Sequence, residues 1–304
     1  MTGAGPVALL APDELARLEA AVGRALDGAT GELRILGHGE ITLVVGWPAP
    51  APAVAAKRLP PFADRGRAEA YGAVVADYVA ALAHRGVACV ESEFSITETE
   101  GGWAAYVLQP LLDPGTLGPA RLRALAAEDP TGARARALLE RIVEHVVVAV
   151  GQEVGLDGQL SNWADTPDGL RYFDVTTPLL VDAGGRSRLD LGTLTSPLPA
   201  PLRPVVRRFV APGITAKYHD VREVLLDLAA NLHKERLAQW VNATLVAANR
   251  HVAPAISPEE ALAYYRSDAR TWEALLRLRM ADRWWHRRVL RRPYGSLLPL
   301  GTER

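Results

Sequence analysis

The stretch Gly155-Leu156-Asp157-Gly158-Gln159-Leu160-Ser161-Asn162-Trp163 decides which fold the chain is expected to adopt. It comes directly after a long predicted helix over residues 132–153. Asp157 and Asn162 lie five residues apart in a loop, so both side chains can point at one place. A carboxylate there can accept the proton of a hydroxyl group, and an amide oxygen can bind a metal ion. A polar turn capped by the same two side chains is the alternative.

A second acidic position follows at the end of an apolar run, Leu170-Arg171-Tyr172-Phe173-Asp174. The intervening Thr166-Pro167-Asp168-Gly169 has the composition of a hairpin turn. The hairpin predicts that Asn162 and Asp174 lie close together and offer oxygens to one magnesium ion. Magnesium prefers such hard ligands and takes the rest from water and phosphate. An aspartate that only caps a strand is the alternative for Asp174.

Two features upstream are suited to phosphate binding. Gly37-His38-Gly39-Glu40 joins two β-like runs, Leu33–Leu36 and Ile41–Trp47, and glycine lets backbone N–H groups approach a phosphate closely. A plain hairpin turn is the competing interpretation. Lys57 ends a third predicted strand, Val54–Arg58, where its ammonium group could meet phosphate oxygens. A surface lysine on an edge strand is equally compatible with the pattern.

The hydrophobic periodicity of the remaining chain predicts an α+β protein. Two helices are expected before residue 109, and three helical stretches are expected after Pro199. The predicted helices cover residues 12–27, 66–85, 132–153, 219–251, 258–266 and 268–290. Two more strands, Phe94–Thr99 and Trp103–Leu108, are separated by Gly101-Gly102 as a turn. Around Gln109–Pro114 the chain becomes mostly helical, apart from short strand-like pieces near 160–182.

The order of these features resembles that of the protein-kinase-like superfamily, within it the aminoglycoside phosphotransferase and choline kinase branch. The resemblance covers about residues 33–182. It implies a two-lobed fold, with an antiparallel sheet and one main helix in an N-terminal lobe at 1–108. A large, mostly helical lobe would follow at 109–304. It also implies ATP and Mg²⁺ as cofactors, and transfer of the γ-phosphoryl group to a hydroxyl of a small molecule or a modified peptide.

The resemblance assigns roles on the nucleotide side of the site. The loop over the phosphates would consist of Gly37, His38 and Gly39. Lys57 would pair with the α- and β-phosphates, and Glu69, early in the helix over 66–85, would form the ion pair that orients Lys57. Two other glutamates could take that place if the helix begins elsewhere: Glu91 and Glu93.

The resemblance also assigns the hinge and the catalytic groups. The segment from Gln109 to Leu111 would lie beside adenine and contribute backbone hydrogen bonds. Asp157 would be the catalytic base or would orient the acceptor hydroxyl. Asn162 and Asp174 would hold magnesium.

The sequence departs from the family pattern in the glycine loop and before the catalytic aspartate. Thr42 stands near the place of a third glycine, and Gly155 replaces the histidine or arginine whose side chain normally braces the catalytic loop. Asp174 is followed by Val175-Thr176 instead of Phe-Gly, which suits the small-molecule branch more than regulated protein kinases. Gly155 and the thinned glycine loop favour the alternative of a pseudokinase-type nucleotide-binding or scaffold protein without turnover. Catalysis is favoured by the joint presence of four polar residues: Lys57, Asp157, Asn162 and Asp174.

Composition limits the expected partners and location. The 304 residues carry a formal net charge of −1, so no global basic field indicates nucleic acid. Cys89 is the single cysteine, which excludes an intrachain disulfide framework. No basic segment followed by a long apolar run opens the sequence, and the apolar run Val146–Val150 is far shorter than a membrane span. A cytoplasmic protein without a membrane partner is therefore expected.

Two polar clusters of the last third have no motif. The first contains six arginines: Arg279, Arg283, Arg287, Arg288, Arg291 and Arg292. They could face an anionic acceptor or partner, or form a solvated helix face paired with Asp282. The second cluster is Lys217, Tyr218, His219, Asp220 and Arg222. Neither cluster identifies the phosphoryl acceptor.

Overall fold

A five-stranded antiparallel sheet dominates the N-terminal part of the computed structural model. The model describes residues 9–26, 33–38, 42–99, 101–195, 203–205 and 215–289. The strand order is β1-β2-β3-β5-β4, and every neighbouring pair is antiparallel. The strands are β1 (Arg34–His38), β2 (Leu43–Trp47), β3 (Val54–Arg58), β4 (Glu93–Thr99) and β5 (Gly102–Pro110).

Residue alternation gives the sheet two different faces. Val54 and Ala56 of β3 and Tyr106 of β5 are buried against helix α1 (Pro12–Leu26). Because successive side chains of a strand point to opposite faces, Ala55 and Lys57 point the other way. Helix α2 (Arg65–His84) packs on that second face. Helix α1 therefore covers one face of the sheet, and Lys57 lies on the other face, which is turned towards the rest of the molecule.

Helix α1 is fastened to the sheet by a buried ion pair. The Arg58 guanidinium donates to both carboxylate oxygens of Glu19, at 2.8 and 2.7 Å. The hydroxyl of Tyr106 donates to the same carboxylate. Burial acts to lower the pKa of Arg58, but the Glu19 carboxylate outweighs it and the pKa lies above its usual value. The sequence patterns had predicted the helix without saying what it packs against.

The chain after Pro110 is mostly helical, and this confirms the predicted α+β class with a sheet-rich N-terminal part. Its helices are α3 (Gly118–Glu128), α4 (Ala133–Ala149), α5 (Leu191–Thr195), α6 (Arg203–Val205), α7 (Val221–Lys234), α8 (Val241–Ala248) and α9 (Pro258–Arg288). The main core runs through both parts, with α4 and α7 contributing long buried stripes.

Three predicted helix boundaries differ from the structure. The helix predicted over 132–153 ends at Ala149, because Val150 is extended. The stretch predicted over 219–251 is two helices, α7 and α8, separated by a turn in which Arg236 has a φ of 57°. The two helices predicted over 258–266 and 268–290 are one helix, α9, since no glycine or proline interrupts them. Its N-terminus is capped by Ser257, whose hydroxyl accepts from the Glu260 amide.

A two-stranded hairpin links the helical part to the site. Strands β6 (Trp163–Thr166) and β7 (Gly169–Tyr172) pair antiparallel, with Trp163 opposite Tyr172. Gly169 has a φ of 109°, which only glycine adopts readily. Two arginines hold the hairpin in place through Asp165. The Asp165 carboxylate accepts from Arg121 at 3.0 Å and from Arg141 at 2.7 Å. Burial acts to raise the pKa of Asp165, but these two arginines hold it below its usual value.

Among the described residues, no helix is both long enough and apolar enough to cross a bilayer. Within the C-terminal basic cluster, Arg279 is buried and Arg288 is exposed. Asp282 lies 3.5 Å from the His286 ring. The last two members of that cluster, Arg291 and Arg292, lie outside the described residues.

Candidate active site

A cavity of about 700 Å³ lies between the sheet and the helical part. The sheet side is lined by the side chains that alternation turns away from α1, namely Val44, Ala55, Lys57 and Gln109. The helical side brings the residues that the loop motifs predicted, namely Asp157, Asn162 and Asp174. The structure therefore gathers Lys57 and all three loop positions around one space, although they are spread over 118 positions of sequence from 57 to 174.

Lys57 meets Asp174 across the two parts of the molecule. Its ammonium group lies 3.4 Å from Asp174 Oδ1 and donates to the carbonyl of Phe173 at 2.9 Å. The Phe173 ring lies 5.0 Å from the ammonium nitrogen. The lysine side chain is only 8% exposed. A buried ammonium group must be compensated by acceptors or a counterion, so Lys57 is fixed at the wall of the cavity beside a carboxylate.

The Asp174 carboxylate is held in its charged form. Burial acts to raise its pKa, but Lys57 and the Thr176 hydroxyl, which donates to Oδ1 at 2.7 Å, together keep the pKa below its usual value. An ionised carboxylate at the wall of a cavity is a hard oxygen ligand for a cation.

The predicted hairpin brings Asn162 and Asp174 into neighbouring positions. Asn162 immediately precedes β6, Phe173 immediately follows β7, and the Phe173 amide donates to the Asn162 carbonyl at 3.1 Å. The Asn162 side-chain nitrogen donates to the Asp157 carbonyl at 3.1 Å. This orientation of the amide leaves the Asn162 Oδ1 oxygen as the acceptor that can meet a ligand.

The donor set fits magnesium. Asp174 and Asn162 both offer oxygen, and both line the same cavity. Across the described ranges, no group of three or more His, Cys, Asp or Glu residues is arranged to hold a metal ion. An ion bound at these two side chains would complete its shell with phosphate and water oxygens, as magnesium does in phosphate-binding sites.

The loop that carries Asp157 is anchored to helix α7. The Gln159 amide donates to Asp157 Oδ1 at 3.3 Å. The Gln159 side chain donates to the buried Asp227 carboxylate at 3.0 Å and accepts from Asn231 at 3.0 Å. Burial raises the pKa of Asp227, against the opposing charge of Lys217. This network sets the direction in which the loop presents Asp157.

Helix α2 touches the loop segments through two tyrosines. The Tyr78 hydroxyl donates to the Gly155 carbonyl at 3.0 Å, and the Tyr71 hydroxyl donates to the Thr176 carbonyl at 2.8 Å. Both rings are almost fully buried. Burial raises the pKa of each phenol well above its usual value, so both stay protonated hydrogen-bond donors. Sequence analysis predicted the helix over 66–85 but did not find this contact.

The predicted pairing of Glu69 with Lys57 is wrong in this structure. Glu69 lies on the exposed side of α2, with a side chain that is 53% exposed, and it accepts from Arg65 at 2.7 Å. The alternative Glu93 instead accepts from the Leu9 amide at 2.7 Å and from the Ser95 hydroxyl, and Glu91 is exposed. The buried stripe of α2 passes through Ala68 and Tyr71, which turns position 69 away from the cavity.

The predicted hinge lines the cavity, but part of its hydrogen-bonding capacity is already used. The Leu111 amide donates to the Ala53 carbonyl at 2.8 Å, so it is not available to a nucleotide base. The Gln109 side chain donates to the Phe173 carbonyl at 2.8 Å and to the Ser92 hydroxyl at 2.9 Å. Gln109 therefore supports the segment before Asp174, a role that sequence analysis missed.

The glycine-loop prediction is only partly covered by the structure. Gly37 lines the cavity, and the pairing of β1 with β2 shifts register between Ile35 and Gly37. His38 ends β1. Gly39 lies outside the described residues.

The wall of the cavity contains a second lysine. Lys217 lines the cavity and donates to the Tyr264 hydroxyl at 2.8 Å. Burial acts to lower its pKa, but the carboxylates of Asp227 and Asp157 and the Tyr264 hydroxyl raise the pKa above its usual value. Sequence analysis noted Lys217 in a polar cluster without a role. The structure adds a fixed positive charge to the wall of the cavity.

Comparison with known proteins gives a family but no activity. The profile of a family described as "Family of unknown function (DUF6206)" matches residues 17–283. No curated protein shows significant sequence similarity to the chain. A solved structure titled "WaaP in complex with acyl carrier protein" is similar at 14% identity, with a TM-score of 0.35. The match covers 88% of this chain and 99% of that one. A similarity at that score supports no inference about activity, which must come from the geometry of the site.

Proposed function

We propose that this chain, which belongs to the family of unknown function DUF6206, is an ATP-dependent phosphotransferase. It would transfer the γ-phosphoryl group to a hydroxyl of a small molecule or of a modified peptide. The observation that carries the proposal is the meeting of Lys57 and Asp174 at 3.4 Å on the wall of a cavity that Asp157 and Asn162 also line.

The residues that line the cavity are suited to a nucleotide. Its sheet side and hinge offer apolar contacts for a base, from Leu36, Val44, Ala55 and Leu112. Lys57 lines the same wall and would contact the phosphates, for which a fixed ammonium group is a common partner. The base would therefore lie by the hinge and the γ-phosphate would point towards Asp157.

In the proposed reaction, the oxygen of the acceptor hydroxyl forms a bond to the γ-phosphorus while the bond from that phosphorus to the bridging oxygen of ADP breaks. The hydroxyl proton passes to the Asp157 carboxylate, and ADP leaves with its electron pair. Magnesium at Asn162 and Asp174 would neutralise phosphate charge. Lys57 and Lys217, which both line the cavity, would contact the phosphate chain. Catalysis would come mainly from positioning and electrostatic stabilisation.

Transfer of labelled phosphate from γ-labelled ATP to a panel of hydroxyl compounds and peptides tests this function. Asp157→Asn should lower transfer by about 100-fold or more, because positioned acid–base groups contribute about 10²–10⁴-fold. Asp168→Asn, at an exposed hairpin position, is the matched control and should retain full activity. Equal activity of the Asp157 variant and the wild type would rule out the proposed role.

A nucleotide-binding protein without turnover is the second candidate function. The position of Glu69 favours it, since Lys57 lacks the helix glutamate that orients the lysine in the active members of the resembled family. This candidate predicts magnesium-dependent binding of ATP with no transfer to any acceptor. Measuring binding and transfer on one preparation separates the two candidates.

A further inference from the structure

The backbone at Gly155 leaves a notch that another part of the chain fills. A Cβ atom placed on Gly155 would lie 2.9 Å from the Tyr218 carbonyl oxygen and 3.0 Å from the His219 Nε2 atom. Both distances are shorter than ordinary contacts of a Cβ atom. The imidazole of His219 therefore occupies the space that a side chain at position 155 would need, two residues before Asp157.

One hydrogen bond holds the His219 ring in that notch. Its Nδ1 atom lies 3.1 Å from the Gly151 carbonyl oxygen. A carbonyl oxygen only accepts hydrogen bonds, so Nδ1 must be the protonated nitrogen and the ring orientation is determined. The adjacent Tyr218 carbonyl accepts from the Leu156 amide at 3.0 Å. The pair Tyr218-His219 thus contacts the loop at Gly151, Gly155 and Leu156.

The loop is also held by Tyr78 of α2 and by the Leu179 carbonyl. The Gly155 carbonyl accepts from Tyr78, and the Gly155 amide donates to the Leu179 carbonyl at 2.8 Å. Gly155 is therefore fixed at its carbonyl, at its amide and at its α-carbon by three different parts of the chain. Of these three contacts, the one at the α-carbon involves the side chain of His219, which can be replaced without altering α2.

We propose that His219 is a positioning residue, which replaces the side chain missing at position 155 and holds the loop that presents Asp157. Its catalytic consequence rests on the proposed phosphotransferase function, whereas its effect on the loop does not. His219 touches backbone atoms of the loop, so it acts through Asp157 and not on the substrate. The absence of a side chain at position 155 is then no argument against activity.

Hydrogen–deuterium exchange of the full chain tests the effect on the loop. In His219→Ala, the Gly155 and Leu156 amides should exchange about tenfold faster or more, while the amides of α2 keep wild-type rates. His219→Asn should restore slow exchange, because its side-chain amide can donate to the Gly151 carbonyl. His251→Ala, at an exposed histidine, is the matched control. Wild-type exchange at Gly155 and Leu156 in His219→Ala would overturn the proposal.

A second variant covers the case in which His219→Ala does not fold. His219→Phe fills the notch but cannot donate to Gly151, so fast exchange at residues 151–156 is expected, and wild-type exchange there would overturn the proposal. Phosphate transfer and MgATP binding provide a second measurement, independent of amide exchange. His219→Ala should lower kcat about tenfold without changing the Kd of MgATP, and His219→Asn should recover it. A wild type that neither binds nor transfers phosphate would refute the proposed function, while the exchange result would still decide the role of His219.

Discussion

Removing one hydroxyl from helix α2 should loosen the catalytic loop without disturbing the rest of the fold. The change is Tyr78→Phe, which deletes the hydrogen bond to the Gly155 carbonyl and keeps the ring in the core. The Tyr78 side chain is fully buried. Water cannot replace the lost donor, so the carbonyl is left without that partner.

The magnitude follows from burial. Leaving a buried acceptor without its donor costs about 1–3 kcal/mol of unfolding free energy. For a chain of 304 residues, an unfolding entropy of about 2 cal/mol/K per residue converts this into a fall in Tm of roughly 2–5 °C. The variant should also show faster amide exchange at Gly155 and Leu156, because the lost bond lies in that loop.

Calorimetry and urea unfolding of the wild type and the variant measure the effect. Tyr265→Phe is the control, since Tyr265 stacks on His233 in the helical part, away from the contact with α2. A Tm of Tyr78→Phe within 1 °C of the wild type, with unchanged exchange in the loop, would refute the inference that this hydroxyl couples α2 to the site.

Two further predictions concern ion pairs. Glu19→Ala leaves the buried Arg58 guanidinium without its counterion. Urea melts should show the unfolding free energy lowered by about 3–5 kcal/mol. A loss below 1 kcal/mol would contradict the role of this ion pair in fastening α1 to the sheet. The carboxylate of Asp165 has a lowered pKa in the folded state, so its stabilisation should be complete above about pH 5 and disappear as the pH falls through that pKa. Urea melts should therefore show Asp165→Asn less stable than the wild type by about 2 kcal/mol at pH 7. The difference should shrink progressively as the pH falls below about 4, and a difference independent of pH would contradict this assignment.

The local patterns of the sequence predicted the parts of the site that neighbouring residues determine. The hairpin that places Asn162 beside Asp174 depends on a turn of four residues and on two short apolar strands. The direction of Lys57 follows from strand alternation once α1 is known to cover the opposite face. The hairpin requires no knowledge of distant contacts, whereas the direction of Lys57 requires the packing of α1 on the sheet, which the sequence patterns had left open.

The rest depends on helix rotation and on contacts between distant segments. Glu69 was assigned to Lys57, but the rotation of α2 is set by its buried residues, and an exposed pair with Arg65 satisfies the carboxylate instead. His219 lies 64 positions after Gly155, and no spacing rule links a missing side chain to a ring that fills its place. Gln109 is polar and buried, and only the fold shows that it supports the Phe173 carbonyl.

Binding of MgATP to the wild type and to Asp174→Asn tests the central claim most directly. With MgATP at about 100 times its Kd, ligand binding should stabilise the folded wild type by about 2.7 kcal/mol, equivalent to a rise in Tm of roughly 4 °C. The account predicts that the rise is lost on removal of magnesium with a chelator and in Asp174→Asn. No rise with MgATP in the wild type, or an equal rise in the variant, would contradict the assignment of this cavity as a magnesium–nucleotide site.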